Sequence, residues 1–165
     1  MEALATFFGR ISSYNLLNNL IPGAIFCVMM KYLVGFDFIN VEILELLIIF
    51  YFSGMVIARI GSLLIEPLFE WIKFIDSRDH KLFVAAEQKD QKISSISETN
   101  TMYRSIVAAI FAVLIVKLYW SVTELQCEFG DASEWLLLIS LLVLFVFAYR
   151  KQTNYLVSRI DFYTK

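Results

Sequence analysis

Three basic residues lie inside apolar stretches of this sequence, where such residues could bind anions, line an ion path or hold helices together. Lys31, Arg59 and Lys117 are each flanked by apolar side chains. A charge in hydrocarbon costs about 2.5–3.5 kcal/mol, so each needs a partner, an aqueous cavity or a route to the interface. Lys31 and Lys117 lie toward helix ends, and we expect structural anchoring from both. Three interpretations of Arg59 stay open: extension to the interface, an ion pair with Glu66 or another helix, or the lining of a pore or ligand cavity.

Residues that could carry catalysis or bind a metal are few. His80 is the only histidine, and it lies between Asp79 and Lys81 with no second His or Cys at metal-ligand spacing. Cys27 and Cys127 differ too much in expected depth for an easy disulfide within the chain. No Walker A, HExxH, GxSxG or CxxC motif occurs. We therefore expect no enzymatic activity, no cofactor and no metal.

The composition is that of a membrane protein. The 165 residues are 59% hydrophobic and 18% charged, with a mean hydropathy of +0.67, whereas soluble domains are roughly 45–50% apolar and about 25% charged. The net charge of −2 gives no overall basic footprint for nucleic acid. With only 6 Gly, 2 Pro and 2 Cys, the chain is neither collagen-like nor a disulfide-rich secreted domain.

Four segments are long and apolar enough to span a membrane, which takes about 20 residues for a hydrocarbon core of roughly 30 Å. They are residues 16–36, 43–65, 105–125 and 132–149. We predict an all-α polytopic membrane protein with four transmembrane helices in a single membrane domain, residues 1–165. Membrane lipids are then the first partners of the chain.

The distribution of basic residues predicts the orientation. The two short connections, residues 37–42 and 126–131, contain no Lys or Arg. Because Lys and Arg near span ends are retained in the cytoplasm, both termini are predicted to be cytoplasmic. The basic residues on that side are Arg10, Lys73, Arg78, Lys81, Lys89, Lys92, Arg104, Arg150, Lys151, Arg159 and Lys165.

The two segments predicted on the cytoplasmic side are residues 66–104 and the tail 150–165. Apolar residues at helical spacing from Leu68 to Ile75 predict that the second helix continues past the membrane. Ser95 and Glu98 have capping-box spacing, so the third helix is predicted to begin at Ser95. The basic residues of both segments could bind anionic headgroups or dock a cytoplasmic protein. The candidates are Lys73, Arg78, Lys81, Arg150, Lys151 and Arg159.

Small residues predict where helices approach closely. Gly54 and Ala58 form a small-xxx-small pair, and Gly61 follows on the same helix. We expect Gly54, Ala58 and Gly61 to form one packing surface within the fold or the oligomer. Pro22 lacks a backbone donor, and it is interpreted as the start of the first helix.

Two stretches carry a resemblance to a known family: YNLLNNLIPGAIF at residues 14–26 and RKQTNYLVSRI at residues 150–160. With four spans, the chain resembles small bacterial inner-membrane proteins of antiphage defence loci, most nearly the membrane subunits of Kiwa systems. The resemblance implies a homo-oligomer, a tetramer, that holds a soluble partner at the inner face and responds to infection. The expected function is a non-enzymatic inner-membrane scaffold or sensor. The alternative is a small oligomeric ion channel or pore-forming effector.

Overall fold

The computed structural model describes residues 13–36, 41–76, 78–123 and 132–164. Within them all regular secondary structure is helical, and four helices are long and apolar enough to cross a membrane. The prediction of an all-α chain with four such helices is confirmed. Arg10, Cys127 and Lys165 lie outside the described residues.

The helices of the described ranges are α1 Ser13–Val34, α2 Ile43–Ile60, α3 Glu66–Trp71, α4 His80–Lys89, α5 Lys92–Thr123 and α6 Ala132–Thr164. A π-helical turn, Gly61–Ile65, joins α2 to α3 without a break. At about 1.5 Å per residue, α5 and α6 are each roughly 50 Å long, against a hydrocarbon core of about 30 Å. Residues 92–104 of α5 and 150–164 of α6 are the less apolar ends, so both helices are longer than their apolar parts.

α1 runs through Pro22, so the expectation that the first helix begins there is wrong. Proline removes one backbone donor, and a spanning helix tolerates it where neighbouring groups take up the freed backbone. Pro22 is fully buried, and the next residue, Gly23, contacts the backbone of α2. Packing against α2 therefore stabilises a helix that the local sequence alone would interrupt.

The backbones of α1 and α2 touch where the two helices cross. A Cβ added at Gly54 would lie 1.7 Å from the carbonyl oxygen of Asn19, and one added at Gly23 would lie 1.8 Å from that of Phe50. Both distances are far below van der Waals contact. Because lipid gives no hydrophobic drive for helix association, close packing of this kind is what holds such a pair together.

α5 lies at the centre of the bundle and packs against α1, α2 and α6. Its residues 105–110 are all buried. One apolar cluster around α5 includes Ile57 of α2 and Tyr149 of α6. A second includes Met30 of α1 and Leu138 of α6. The bundle is thus organised around the third spanning helix.

α3 ends one turn earlier than the predicted amphipathic helix. Lys73 adopts a left-handed backbone conformation with φ of 55°, and its N–H donates to the carbonyl of Glu70 while that of Phe74 donates to Phe69. These bonds form a Schellman motif, which closes a helix C-terminus and reverses the chain. As a result Trp71 is 81% exposed and Ile75 is buried, so the expected single helical face through Ile75 does not form.

The start of α5 also differs from the sequence prediction. The helix begins at Lys92, so the expectation of a start at Ser95 is wrong. The Asp90 carboxylate accepts a hydrogen bond from the Lys92 backbone N–H at 3.0 Å. An aspartate satisfies an otherwise unpaired N–H at a helix start, which places Ser95 and Glu98 inside the helix.

α4, residues 92–104 of α5 and residues 150–164 of α6 pack into one body, which we call the head. Its core is small and apolar. The fully or nearly fully buried members are Ala86, Ile93 and Ile160, and Phe83, Leu156 and Tyr163 pack around them. The loop and the tail, which are far apart in sequence, therefore fold together.

Candidate functional site

An ion pair lies where the apolar part of α5 begins. The Arg104 guanidinium donates to the Glu66 carboxylate of α3. One turn before Arg104 on α5, the Thr153 hydroxyl donates to the side-chain oxygen of Asn100 at 3.0 Å. Buried Tyr149 lies above Thr153 on α6, and its backbone carbonyl also accepts from that hydroxyl at 3.0 Å. This inner polar layer joins α3, α5 and α6 at the boundary between bundle and head.

A second ion pair joins α5 to α6 nearer the other end of the bundle. Lys117 is 6% exposed, and its ammonium contacts the Glu134 carboxylate. The ammonium also donates to the carbonyl oxygen of Leu33 in α1 at 3.1 Å and lies 5.5 Å from the centre of the Trp135 ring. Lys117 therefore connects three helices inside the bundle and does not extend to the interface.

The depth of this outer pair follows from helix geometry. Lys117 is thirteen residues beyond Arg104, which is about 20 Å along α5. With Arg104 at one boundary of a core of roughly 30 Å, the pair lies about two-thirds of the way across the hydrocarbon. Each charge there requires its partner, because an isolated one would be costly.

A bidentate ion pair fastens the loop to the tail. The Nε and Nη2 atoms of Arg78 each donate to one oxygen of Asp161 at 2.8 Å. Nη1 donates to Asp76 at 3.0 Å. The hydrogen bonds to Asp161 raise the pKa of the Arg78 guanidinium, and the hydrogen bond to Asp76 raises it further. Two parallel N–H to oxygen bonds fix orientation as well as distance, so the chain before α4 is held against the end of α6.

A second set of contacts fastens the α4–α5 turn to the same helix. Arg159 donates to Asp90 at 2.7 Å and to the Tyr155 hydroxyl at 2.8 Å, and Lys89 donates to the carbonyl of Tyr163 at 2.6 Å. The backbone N–H of Lys92, followed by Arg159, lowers the pKa of Asp90. The head is thus closed by charged contacts at both ends of α4.

A cavity of about 420 Å³ lies between the head and the inner polar layer. Its charged walls are Glu66, Asp76, Arg78 and Arg104. Both guanidinium groups already bind carboxylates, so the polar groups that the cavity offers an occupant are mainly amides and hydroxyls, beside the apolar Phe83, Leu156, Val157 and Ile160. Those groups belong to Ser97, Asn100, Thr101 and Thr153.

Comparison with protein-family models, curated proteins and solved structures found no match to this chain.

His80 lies at the start of α4 and Cys27 lies within α1, so these two candidate residues are on separate elements. His80 is exposed, and its ring stacks on Phe83 with centroids 6.3 Å apart. No group of three or more His, Cys, Asp or Glu side chains among the described residues could hold a metal ion. Buried Cys27 contacts the hydroxyl of Ser53 at 3.6 Å.

The three predicted packing residues lie on α2 and on the π-helical turn that continues it, and they serve two contacts within the chain. Gly54 lies against α1, as described above. A Cβ added at Gly61 would lie 3.3 Å from the Arg104 side chain and 3.5 Å from Cβ of Ala108, both in α5. Ala58 between them is half-buried. Instead of a single surface, small residues on α2 face two neighbouring helices.

The predicted intramembrane charges differ in their surroundings. Lys117 is buried in the outer pair, and Lys31 is half-exposed on α1. Arg59 is exposed, and it makes no hydrogen bond or ion pair with any residue in the described ranges. Since Glu66 binds Arg104, the proposed Arg59–Glu66 pair does not form.

The six predicted docking residues fall into two groups. Arg78 and Arg159 are bound to carboxylates within the head. Four others are exposed: Lys73, Lys81, Arg150 and Lys151. Sequence reasoning did not single out the acidic partners Asp90, Glu134 and Asp161 or the packing residue Gly23. The positions of Lys117 and Glu134 on either side of one short connection were the one usable signal.

Proposed function

We propose that the chain is a non-enzymatic scaffold or sensor subunit of the bacterial inner membrane, whose head docks a soluble cytoplasmic protein. The observation that carries this proposal is Phe162, which is 76% exposed. It lies thirteen residues beyond Tyr149, about 20 Å along α6 from the end of the spanning segment. A large aromatic side chain in water, away from lipid, favours contact with a protein.

The surroundings of Phe162 have the composition of a protein-binding surface. A shallow cavity of about 320 Å³ lies beside it, lined by Tyr155, Ser158, Arg159 and Tyr163. Tyr and Arg are enriched among the residues that dominate binding energies. Arg159 is fixed by Asp90, so little side-chain freedom remains to be lost on binding.

Cytoplasmic orientation of the head is supported by charge. The head and the adjoining chain carry most of the basic residues, whereas Glu42 and Glu134 lie at the opposite ends of the helices. Lys and Arg are retained on the cytoplasmic side. We therefore assign both termini to the cytoplasm.

Homo-oligomerisation is supported by Arg59 of α2, a charged residue on a face that no described helix covers. Arg59 lies seven residues before Glu66, about 10 Å from the inner polar layer, and it faces away from the described helices. A contact with a second copy along α2 would remove this charge from lipid. The tetrameric state and the role in antiphage defence rest on the resemblance of residues 14–26 and 150–160 to Kiwa membrane subunits.

The docking proposal is tested with sealed vesicles and cytosolic extract from the native host. Inverted vesicles should retain the soluble partner, and right-side-out vesicles should not. Phe162→Asp should weaken retention at least tenfold, because it removes a central aromatic contact. Gln91→Asp, which adds the same charge at an exposed turn of the head, should retain the partner. Equal retention by Phe162→Asp and wild type, or retention only by right-side-out vesicles, would contradict the proposal.

A further inference from the structure

A third cavity, of about 540 Å³, lies at the level where the apolar stretch of α6 ends. Arg150 is the first charged residue of α6 after the uncharged run 135–149. Lys73 reaches the same cavity from the reversed end of α3. The residues lining the cavity are Glu70, Lys73, Phe74, Ile75, Asp76, Arg150 and Asn154.

Neither cation of this cavity is neutralised by a carboxylate of the described residues. The Arg150 guanidinium lies over the Phe74 ring, 4.6 Å from its centre, and both Lys73 and Arg150 are exposed. Asp76 is already bound by Arg78 at 3.0 Å. Glu70 is the one carboxylate of the lining that is not bound to Arg78. The two cations, Lys73 and Arg150, therefore exceed the available negative charge by one.

Exposed apolar side chains lie next to the residues that line the cavity. Phe147, one turn before Arg150, is exposed, and its ring centre lies 6.1 Å from that of Phe74. Trp71 and Ile72, just before Lys73, are exposed too. Aromatic and basic side chains at one level are typical of the membrane interface, so an occupant there meets cations at one end and apolar surface at the other.

We propose that this cavity binds the phosphate group of an anionic phospholipid from the leaflet on the head side. Lys73 and Arg150 bind the phosphate oxygens, and the acyl chains lie along Phe147 and Trp71. A basic residue near an anionic surface contributes enough to strengthen binding about fivefold. The site is independent of the docking surface around Phe162.

The experiment measures lipid retained by the full chain in mild detergent, by native mass spectrometry. Phosphatidylglycerol should bind at least tenfold more tightly than phosphatidylcholine. Lys73→Gln with Arg150→Gln should weaken phosphatidylglycerol binding about 25-fold. Lys81→Gln with Lys151→Gln removes the same charge from exposed positions outside the cavity and should change binding less than twofold.

Two further measurements distinguish lipid binding from the binding of free phosphate and from the effects of misfolding. Lys73→Arg with Arg150→Lys keeps both charges and should retain phosphatidylglycerol. Millimolar inorganic phosphate should not displace the lipid, because it lacks the acyl chains. Displacement by phosphate, equal binding of both lipids, or equal loss in the two charge-removal variants would overturn the proposal.

Discussion

Gly54→Leu is expected to separate α1 from α2 and to reduce the yield of folded protein to a small fraction of wild type. Even a Cβ at this position would lie 1.7 Å from the Asn19 carbonyl oxygen. That atom belongs to a helical backbone and has no room to move independently. We expect a destabilisation of at least about 3 kcal/mol, at the upper end of overpacking effects. Thermal unfolding in mild detergent, with the folded yield from gel filtration, measures it.

The matched control is Val56→Leu on the same helix. Val56 is 44% exposed, so a larger side chain there meets lipid or detergent and should leave the melting temperature within a degree or two. Equal melting temperatures for Gly54→Leu and Val56→Leu would show that the two backbones are not in contact.

Glu134→Gln is expected to destabilise the bundle by about 3–5 kcal/mol, because it leaves the Lys117 charge buried without its partner. The substitution changes the charge and hardly the shape. Glu45→Gln is the control, since Glu45 is exposed on α2 and loses the same charge. Thermal unfolding of both variants compares the two positions.

Replacing both Lys117 and Glu134 by apolar residues is expected to restore the stability that Glu134→Gln loses. Lys117→Met with Glu134→Met should recover wild-type stability within about 1 kcal/mol or exceed it, because an apolar pair avoids the desolvation of two charges. A double variant less stable than Glu134→Gln would show that the ions themselves hold the three helices. If Glu134→Gln is as stable as Glu45→Gln, the ion pair between Lys117 and Glu134 is not buried in the bundle.

Spanning helices were predictable because their signal is local and additive. A run such as residues 132–149 is apolar at most positions, and an apolar run of this length is typical of a transmembrane helix. Gly54 could be identified as a packing residue for the same reason. Its partner Gly23 could not, because Pro22 beside it gives a stronger local signal for a helix start, and only the contact with α2 overrides that signal.

The head could not be predicted from local patterns. Arg78 and Asp161 are 83 residues apart, and nothing in either segment indicates the other. Basic residues in a loop and a tail could equally bind lipid, another protein or carboxylates of the same chain. Of the six candidates, Arg78 and Arg159 bind carboxylates of the same chain. At the start of α5, Asp90 and Ser95 both offer a cap, and the first of them forms it.

Ion flux across vesicles that contain only the purified full chain distinguishes the scaffold from the channel most directly. Arg59 faces outward and has no partner among the described residues, so in an oligomeric pore it would be the charge that ions meet. For a scaffold we predict K⁺ and Cl⁻ fluxes equal to those of protein-free vesicles, for the wild type and for Arg59→Gln alike. A flux well above that background, with an ion selectivity that Arg59→Gln changes, would contradict the scaffold and favour the channel.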